Sequence, residues 1–190
     1  MNKQAIIIVF MLFLAPVIIA VLLHSEWFSW RPAETRNHGE LIQPVIPLPE
    51  FDVVDAHGQA LTRNDLIDRW FVIHRRHTAC ADECLEDLYW LRQIRRAQDR
   101  HQPDIGLMLL STAPIDDDTL SKINELDEAF LVIHEDQAEG LLEHFPAIEN
   151  SSAAYITDPM ANIILGYAAD ADPNGIRRDL RRLLTWTQRD

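Results

Sequence analysis

Apolar residues change their spacing along this chain, and the first change separates an N-terminal segment from the rest. Ala5 to Leu23 is an uninterrupted apolar run of 19 residues. A helix of that length measures about 28 Å, close to the hydrocarbon thickness of a bilayer. The run therefore predicts a transmembrane anchor within residues 1–24. The sequence after it offers no clean small-x-small cleavage site, which favours an uncleaved anchor over a signal peptide.

Residues 25–49 lose this apolar character and gain prolines. Pro32, Pro44, Pro47 and Pro49 restrict the backbone to extended conformations and remove hydrogen-bond donors. We expect an extended tether between the anchor and a folded domain.

From residue 50 onward, short apolar runs alternate with amphipathic segments. Such alternation is typical of an α/β domain whose sheet is covered on both faces. The domain is assigned to residues 50–190, the size of one folding unit. Strands are predicted at 51–55, 59–61, 70–73, 105–110, 130–133, 153–157 and 162–167, and helices at 62–66, 83–100, 116–126, 137–145 and from 172 or 174 onward.

Composition narrows the choice of partners and compartment. The formal net charge is −13, which argues against nucleic acid as a binding partner.

Charges flanking the apolar run do not decide its orientation in the membrane. A short N-terminal tail before one span is the usual layout of a signal anchor, so we place the domain outside the cytoplasm. In bacteria this means a single pass through the inner membrane, membrane lipid around residues 5–23, and a domain in the periplasm, where disulfides persist.

The two cysteines of the chain, Cys80 and Cys84, lie where a predicted strand gives way to a predicted helix. Thiols in such a turn can cycle between dithiol and disulfide. Cys84 falls on the apolar face of the helix, so Cys80 is the expected attacking thiol and Cys84 the resolving one. The helix N-terminus and Arg75 and Arg76 favour a thiolate. Four carboxylates between residues 82 and 87 oppose it, and the sequence leaves the balance open.

Metal binding is the alternative use of the pair. Two thiolates suit Cu(I), whereas a structural zinc ion needs four ligands. His77 and His144 are candidate third ligands, each weighed against an ordinary polar surface role. A purely structural disulfide is the weaker idea because the loop that it closes is very short.

Several short motifs occur in a distinctive order: Phe51, the Asp55–Gly58 turn, Leu61-Thr62, Asp65-Leu66, Trp70, Cys80-x-x-x-Cys84, Tyr155-x-x-Asp158-Pro159, Asp170–Pro173, Asp179-Leu180 and Leu183-Leu184. Their order and spacing resemble the Sco/SenC family over about residues 50–186. Members are membrane-anchored, thioredoxin-like proteins that assist assembly of the copper centre of cytochrome c oxidase.

The resemblance implies a thioredoxin-like fold with a central mixed sheet flanked by helices. It also shows departures from the family. Ala79, Ala81 and Leu85 replace the His before the first cysteine and the prolines after each cysteine. The His that supplies the family's third copper ligand falls at Asn150, counting back from Tyr155. Because Asn has no imidazole nitrogen, the usual site of two Cys and one His is incomplete.

We favour a membrane-anchored periplasmic protein that supports cytochrome c oxidase assembly by thiol–disulfide exchange at Cys80 and Cys84. Its expected partners are oxidase subunits or other assembly factors. Whether it is an enzyme stays open, a thiol–disulfide oxidoreductase being the activity considered. Two alternatives remain: a Cu(I) metallochaperone that uses the same cysteines, and a non-catalytic assembly scaffold.

Overall fold

The structure, a computed structural model, describes residues 3–24, 37–146 and 152–186. The chain divides into two compact units, Met1–Arg36 and Asn37–Asp190. In the first unit, helix α1 spans Lys3–His24 and contains Pro16. Within the described parts of the chain, no helix meets the combined length and apolarity needed to cross a membrane. The anchor over residues 5–23 stays a prediction, and residues 25–36 of the expected tether lie outside the described residues.

The second unit alternates strands and helices as the sequence predicts. Its helices are α2 Asp82–Arg96, α3 Asp117–Leu126, α4 Asp136–Leu142 and α5 Pro173–Trp186, with 3₁₀ turns at Arg63–Leu66 and Asp99–Asp104. Its strands are β1 Glu40–Pro47, β2 Asp52–Val54, β3 Ala60–Thr62, β4 Trp70–Arg76, β5 Ile105–Ser111, β6 Phe130–His134, β7 Ser152–Thr157 and β8 Asn162–Ala168.

The main sheet has the strand order β1-β8-β7-β4-β5-β6. Strands β4, β5 and β6 run parallel, while β7, β8 and β1 continue the sheet in antiparallel pairs. The short β2–β3 hairpin stands apart. The expected mixed sheet is therefore confirmed.

Two apolar clusters cover the two faces of this sheet, and β4 contributes to both. Trp70 and Val72 pack on one side with residues of α2, α3 and α5. Phe71 and Ile73 pack on the other side with residues of α4. Because successive side chains of a strand point to opposite faces, a continuous apolar run is what a strand buried on both faces requires.

Part of the predicted tether is a strand. Residues Glu40–Pro47 form β1, which pairs antiparallel with β8 at the edge of the sheet, with an irregular register between Leu41 and Ile46. The prolines do fix an extended backbone, but an edge strand tolerates them because one of its sides makes no ladder hydrogen bonds. The predicted boundary between tether and domain at residue 49 is corrected accordingly.

Asp179 ties the start of this unit to α5. Its side chain is fully buried and accepts hydrogen bonds from the backbone N–H groups of His38 (2.7 Å) and Gly39 (3.0 Å). It also accepts one from the Tyr167 hydroxyl at 3.1 Å. Gly39 lies against the Tyr167 ring, where a Cβ atom would approach within 2.5 Å. The chain before β1 is therefore held at α5 by a carboxylate that belongs to the matching motifs, but whose partners the sequence does not reveal.

Two glycines offer a matched test of this packing. A Cβ at Gly106 would lie 2.1 Å from the buried Phe71 ring, whereas one at Gly140 meets nothing within 4 Å. We expect Gly106→Ala to lower the free energy of unfolding by about 1–3 kcal/mol or more, because the core is overpacked. Gly140→Ala should raise it by up to about 1 kcal/mol through helix propensity. Urea unfolding of both variants checks this, and equal effects would contradict the packing described.

Candidate functional site

Cys80 and Cys84 form a disulfide at the N-terminal end of α2, with their Cα atoms 5.1 Å apart. Cys80 lies in the loop after β4, and Cys84 lies in the first turns of the helix. Cys84 is fully buried, whereas Cys80 retains 9% of its surface. Both belong to the apolar cluster beneath α2. Of the two, Cys80 is therefore the one that a reactant can approach from solvent.

The last three residues of β4 are polar but buried: His74, Arg75 and Arg76. Alternation along the strand divides them between the two faces. His74 and Arg76 contact α2 through its Asp87 side chain, on the face of the cysteines. Arg75 lies on the other face, where its guanidinium is 6.0 Å from the centre of the Tyr155 ring. The two arginines expected to act together on a thiolate are thus separated by the sheet.

Arg76 is the cation on the cysteine face, and two carboxylates of α2 already neutralise it. Its Nη2 atom lies 3.2 Å from Glu83 Oε2 and its Nη1 atom 3.7 Å from Asp87 Oδ2. The Arg76 side chain is only 7% exposed and that of Asp87 33%, so their contact is the less screened one, whereas Glu83 is 83% exposed to water. Neither arginine is thus free to stabilise a thiolate alone, since Arg75 lies on the other face and Arg76 is paired with carboxylates, whereas the N-terminus of α2 favours one.

A histidine–carboxylate contact lies one turn beyond Cys84. His74 Nε2 is 3.5 Å from Asp87 Oδ2. Burial, together with repulsion from Arg76, lowers the pKa of His74 to about 4. Burial raises the pKa of Asp87 to about 6, aided by Glu83 and Glu86 and opposed by Arg76. Sequence reasoning missed this contact, although a run of polar residues ending an apolar strand was the available signal.

The candidate third ligands lie apart from the cysteines. His77 is exposed, and its Nδ1 atom is 3.4 Å from Thr112 Oγ1. Partial burial and the nearby Arg75 charge lower its pKa. His144 is exposed just after α4, which packs on the opposite face of the sheet from α2. Asn150 lies outside the described residues. The structure thus brings Cys80 and Cys84 together without either histidine.

The donor set does not fit a three-ligand copper site. In residues 3–24, 37–146 and 152–186, no group of three or more His, Cys, Asp or Glu side chains is placed to hold a metal ion. Both sulfurs are also committed to the disulfide, whereas soft metals bind thiolates. Reduction would release two thiolates, the donor pair that suits Cu(I).

Comparison with known proteins starts from a family model. The family described as "Transmembrane-like, thioredoxin-like, C-terminal domain" matches residues 70–187, from the start of β4 to the end of α5. The chain belongs to this family. No curated protein matches the chain.

Solved structures of Sco proteins share the fold of this thioredoxin-like chain. Yeast Sco1 gives a TM-score of 0.63 at 14% identity, covering 76% of this chain and 97% of that chain. Bradyrhizobium japonicum ScoI with copper bound gives 0.55 at 17% identity, covering 72% and 98%. BsSco, described as having a disulfide switch and as a member of the Sco family of cytochrome c oxidase assembly proteins, gives 0.57 at 12% identity, covering 77% and 98%. The predicted Sco/SenC resemblance is confirmed at the level of the fold.

The His74–Asp87 contact predicts a distinctive pH dependence of stability. Between pH 6.5 and 4, unfolding lets His74 take up a proton, so acidification lowers the free energy of unfolding. Asp87 acts in the opposite sense between about pH 6 and 4, because the folded state holds a proton that the unfolded state has released. In Asp87→Asn only the His74 effect remains. We expect its free energy of unfolding to fall more steeply on acidification. The additional slope corresponds to the uptake of up to about one more proton per molecule on unfolding.

Urea unfolding at pH 4 to 7 measures these slopes. Asp82→Asn is the matched control, since it removes an exposed carboxylate from the same helix and should leave the slope between pH 6 and 4.5 nearly unchanged. Parallel profiles for Asp87→Asn and the unchanged protein would show that the two groups do not oppose each other.

Proposed function

We propose that this protein is a thiol–disulfide oxidoreductase that supports assembly of the copper centre of cytochrome c oxidase from the periplasmic side of a bacterial inner membrane. The observation that carries the proposal is the Cys80–Cys84 pair, joined as a disulfide at the start of α2, in which Cys84 is fully buried and Cys80 retains 9% of its surface. The shared fold of proteins described as oxidase assembly factors supports the choice of pathway.

The exchange uses the two cysteines in sequence. In the reduced protein, the Cys80 thiolate attacks one sulfur of a partner disulfide and forms a mixed disulfide, while the other partner sulfur leaves as a thiolate. Cys84 then loses its proton and attacks Cys80 Sγ, which releases the second partner thiolate. Overall, two electrons and two protons pass from Cys80 and Cys84 to the partner. A second dithiol protein would return the pair to the reduced state.

The residues around Cys80 and Cys84 influence the reduction potential of the disulfide. A strongly oxidising disulfide arises where the thiolate form is much stabilised. Here Arg76 is neutralised by Glu83 and Asp87, and Arg75 lies on the other side of the sheet. The N-terminus of α2 favours the thiolate, and exposed carboxylates of its first turn oppose it. These contacts support a role as a reductant of partner disulfides rather than as a strong oxidant.

Copper delivery is the second candidate, because proteins of this fold include one described with copper bound. After reduction, Cys80 and Cys84 would offer two thiolates to Cu(I) as cargo. With Asn150 at the position of the family's histidine, Cu(II) would lack its third protein ligand. In the dithiol form the two candidate functions therefore compete for the same sulfur atoms.

Localisation and partners belong to the same proposal. The apolar run over residues 5–23 would hold the chain in the membrane as a single-pass anchor. The domain would then meet oxidase subunits or other assembly factors that share that membrane. A disulfide in the copper-binding segment of an oxidase subunit is the expected substrate.

Trapping the intermediate tests the order of the two thiols. Full-length protein in detergent is reduced, freed of reductant and mixed with oxidised glutathione, and the products are weighed by intact-protein mass spectrometry. We expect Cys84→Ser to accumulate a stable mixed disulfide with glutathione on Cys80, because no resolving thiol remains. Cys80→Ser can form a glutathione adduct only on Cys84, and should do so at least about tenfold more slowly, since Cys84 is buried.

Ala79→Ser serves as the control for a polar change in the same loop and should react as the unchanged protein does. If Cys80→Ser reacts as fast as Cys84→Ser, the proposed order is wrong. Cu(I) titration of the reduced protein against a competing chelator runs in parallel. One tightly held Cu(I), lost in either serine variant, together with no exchange activity, would favour copper delivery instead.

A further inference from the structure

Positive charge gathers on one side of this acidic protein. Helix α2, the 3₁₀ turn after it and α5 carry eight arginines, although the net charge of the chain is −13. Some of them have partners within the fold: Arg95 pairs with Asp127 at 3.1 Å, and Arg182 donates to Asn37. Four others are exposed, and we call them the arginine face: Arg96, Arg100, Arg178 and Arg181.

The arginine face spans the two helices where they pack together. Arg100 and Arg181 line the same surface depression, one from each side. Arg178 lies one turn before Arg181 on α5. Gln98 fixes the two elements to each other, because its side-chain amide donates to the carbonyls of Ile94 (3.1 Å) and Arg177 (3.3 Å). The charges are thus displayed on a rigid support.

Few carboxylates offset these charges. Asp179 is the one acidic residue in the sequence of α5, and it is buried in hydrogen bonds to the chain before β1. In α2 no acidic residue follows Asp87. Asp99 contributes a carboxylate to the depression, beside Arg100, His101 and Arg181. The surface therefore carries a net positive charge suited to an anionic partner.

The cysteine end of α2 has the opposite charge. Asp82, Glu83, Glu86 and Asp87 occupy its first two turns, and its arginines begin at Arg92. The distance from Cys84 to Arg96 along the helix is about 18 Å, at 1.5 Å per residue. A negatively charged surface would attract the arginine end and repel the cysteine end.

The path of the chain identifies which anionic surface is available. The described part of the domain begins at Asn37, which lies against Arg182 of α5, and His38 and Gly39 are bound to Asp179. Residues 25–36 separate this point from the end of α1. Even fully extended, such a connection reaches only about 45 Å. Of the helices in the domain, α5 is thus tied most directly to the predicted anchor.

We infer that the arginine face docks the domain on anionic lipid headgroups of the membrane that holds the chain. The inference rests on the anchor in the proposed function, because a chain free in solution would not be held beside the bilayer. Arginines at an anionic surface each strengthen binding roughly fivefold, and the effect fades within a Debye length. Docking in this way turns the acidic cysteine end of α2 toward the aqueous side.

The full-length protein reconstituted in lipid nanodiscs provides the test. One set contains phosphatidylcholine alone, and the other contains about one third phosphatidylglycerol. Phenylglyoxal modifies accessible arginines, and peptide mass spectrometry gives the rate at each site. We expect Arg178 and Arg181 to react at least about threefold more slowly in the anionic discs, and about 0.5 M salt to remove the difference. Arg63, on the far side of the sheet near Leu48, should react equally in both.

Charge removal on and off the face provides matched variants. Arg178→Gln/Arg181→Gln should abolish the lipid-dependent protection of Arg100, whereas Lys122→Gln, on α3, should preserve it. Equal rates in the two disc types, or protection that persists in high salt, would overturn the inference. Protection by added polyglutamate but not by anionic lipid would assign the face to an acidic protein instead.

Failure of docking is distinguishable from failure of the proposed function. The exchange assay with oxidised glutathione depends on Cys80 and Cys84 alone, so the double arginine substitution, made together with Cys84→Ser, should leave the rate of mixed-disulfide formation on Cys80 unchanged. If the unchanged chain does not co-purify with nanodiscs of either composition, both the anchor and the docking inference are wrong, and the exchange assay still reports on the cysteines.

Discussion

Strand β4 lies between β5 and β7 with both faces covered, so every polar group at its end must find a partner inside the protein. A buried, unpaired charge would cost several kcal/mol. Arg76 meets this requirement in part: its Nη2 and Nη1 atoms lie against Glu83 and Asp87 in the first two turns of α2, while its buried Nε atom has no hydrogen-bond partner among the described residues. The same contacts fix the start of the helix over the sheet. The position of the cysteine pair therefore follows from how the charged residues of the central strand pair with α2.

This arrangement also limits the chemistry of the pair. Cys84 belongs to the apolar stripe that seats α2 on the sheet, so a resolving step at its sulfur requires Cys80 to approach from the loop side. Because that loop follows β4 directly, its freedom is confined to the few residues between Arg76 and Asp82. Short loops on rigid supports hold reacting atoms close together, which favours the intramolecular attack of Cys84 that releases the partner thiolate.

Much of the fold could be predicted because its signals are local. Apolar runs of four to six residues marked β4, β5 and β6, and the Thr62–Asp65 capping pattern marked the turn that follows β3. Strand β1 escaped prediction because its prolines and exposed positions resemble a linker, and only its pairing with β8 makes it a strand. The role of Asp179 escaped prediction for a similar reason: its partners His38 and Gly39 are about 140 residues away.

The cysteine site, like the fold, could be predicted from the sequence only in part. The motif and its position before α2 could be read from spacing, and so could the deeper burial of Cys84. The division of Arg75 and Arg76 between the two faces follows from strand alternation, but only once β4 is known to extend to Arg76 rather than to end at Ile73. Asp87 meets His74 through tertiary packing, which no spacing rule covers.

The hydrogen bonds to Asp179 have a mechanical consequence. Tension applied to the chain ahead of Asn37 would be borne first by the hydrogen bonds from His38 and Gly39 to one carboxylate, before any load reached the ladder between β1 and β8. Hydrogen bonds to a charged acceptor resist separation more strongly than neutral ones. With Tyr167 packed against Gly39, these hydrogen bonds attach the start of the domain firmly to α5. Tension on the preceding chain would therefore not disturb the sheet or the disulfide until these bonds break.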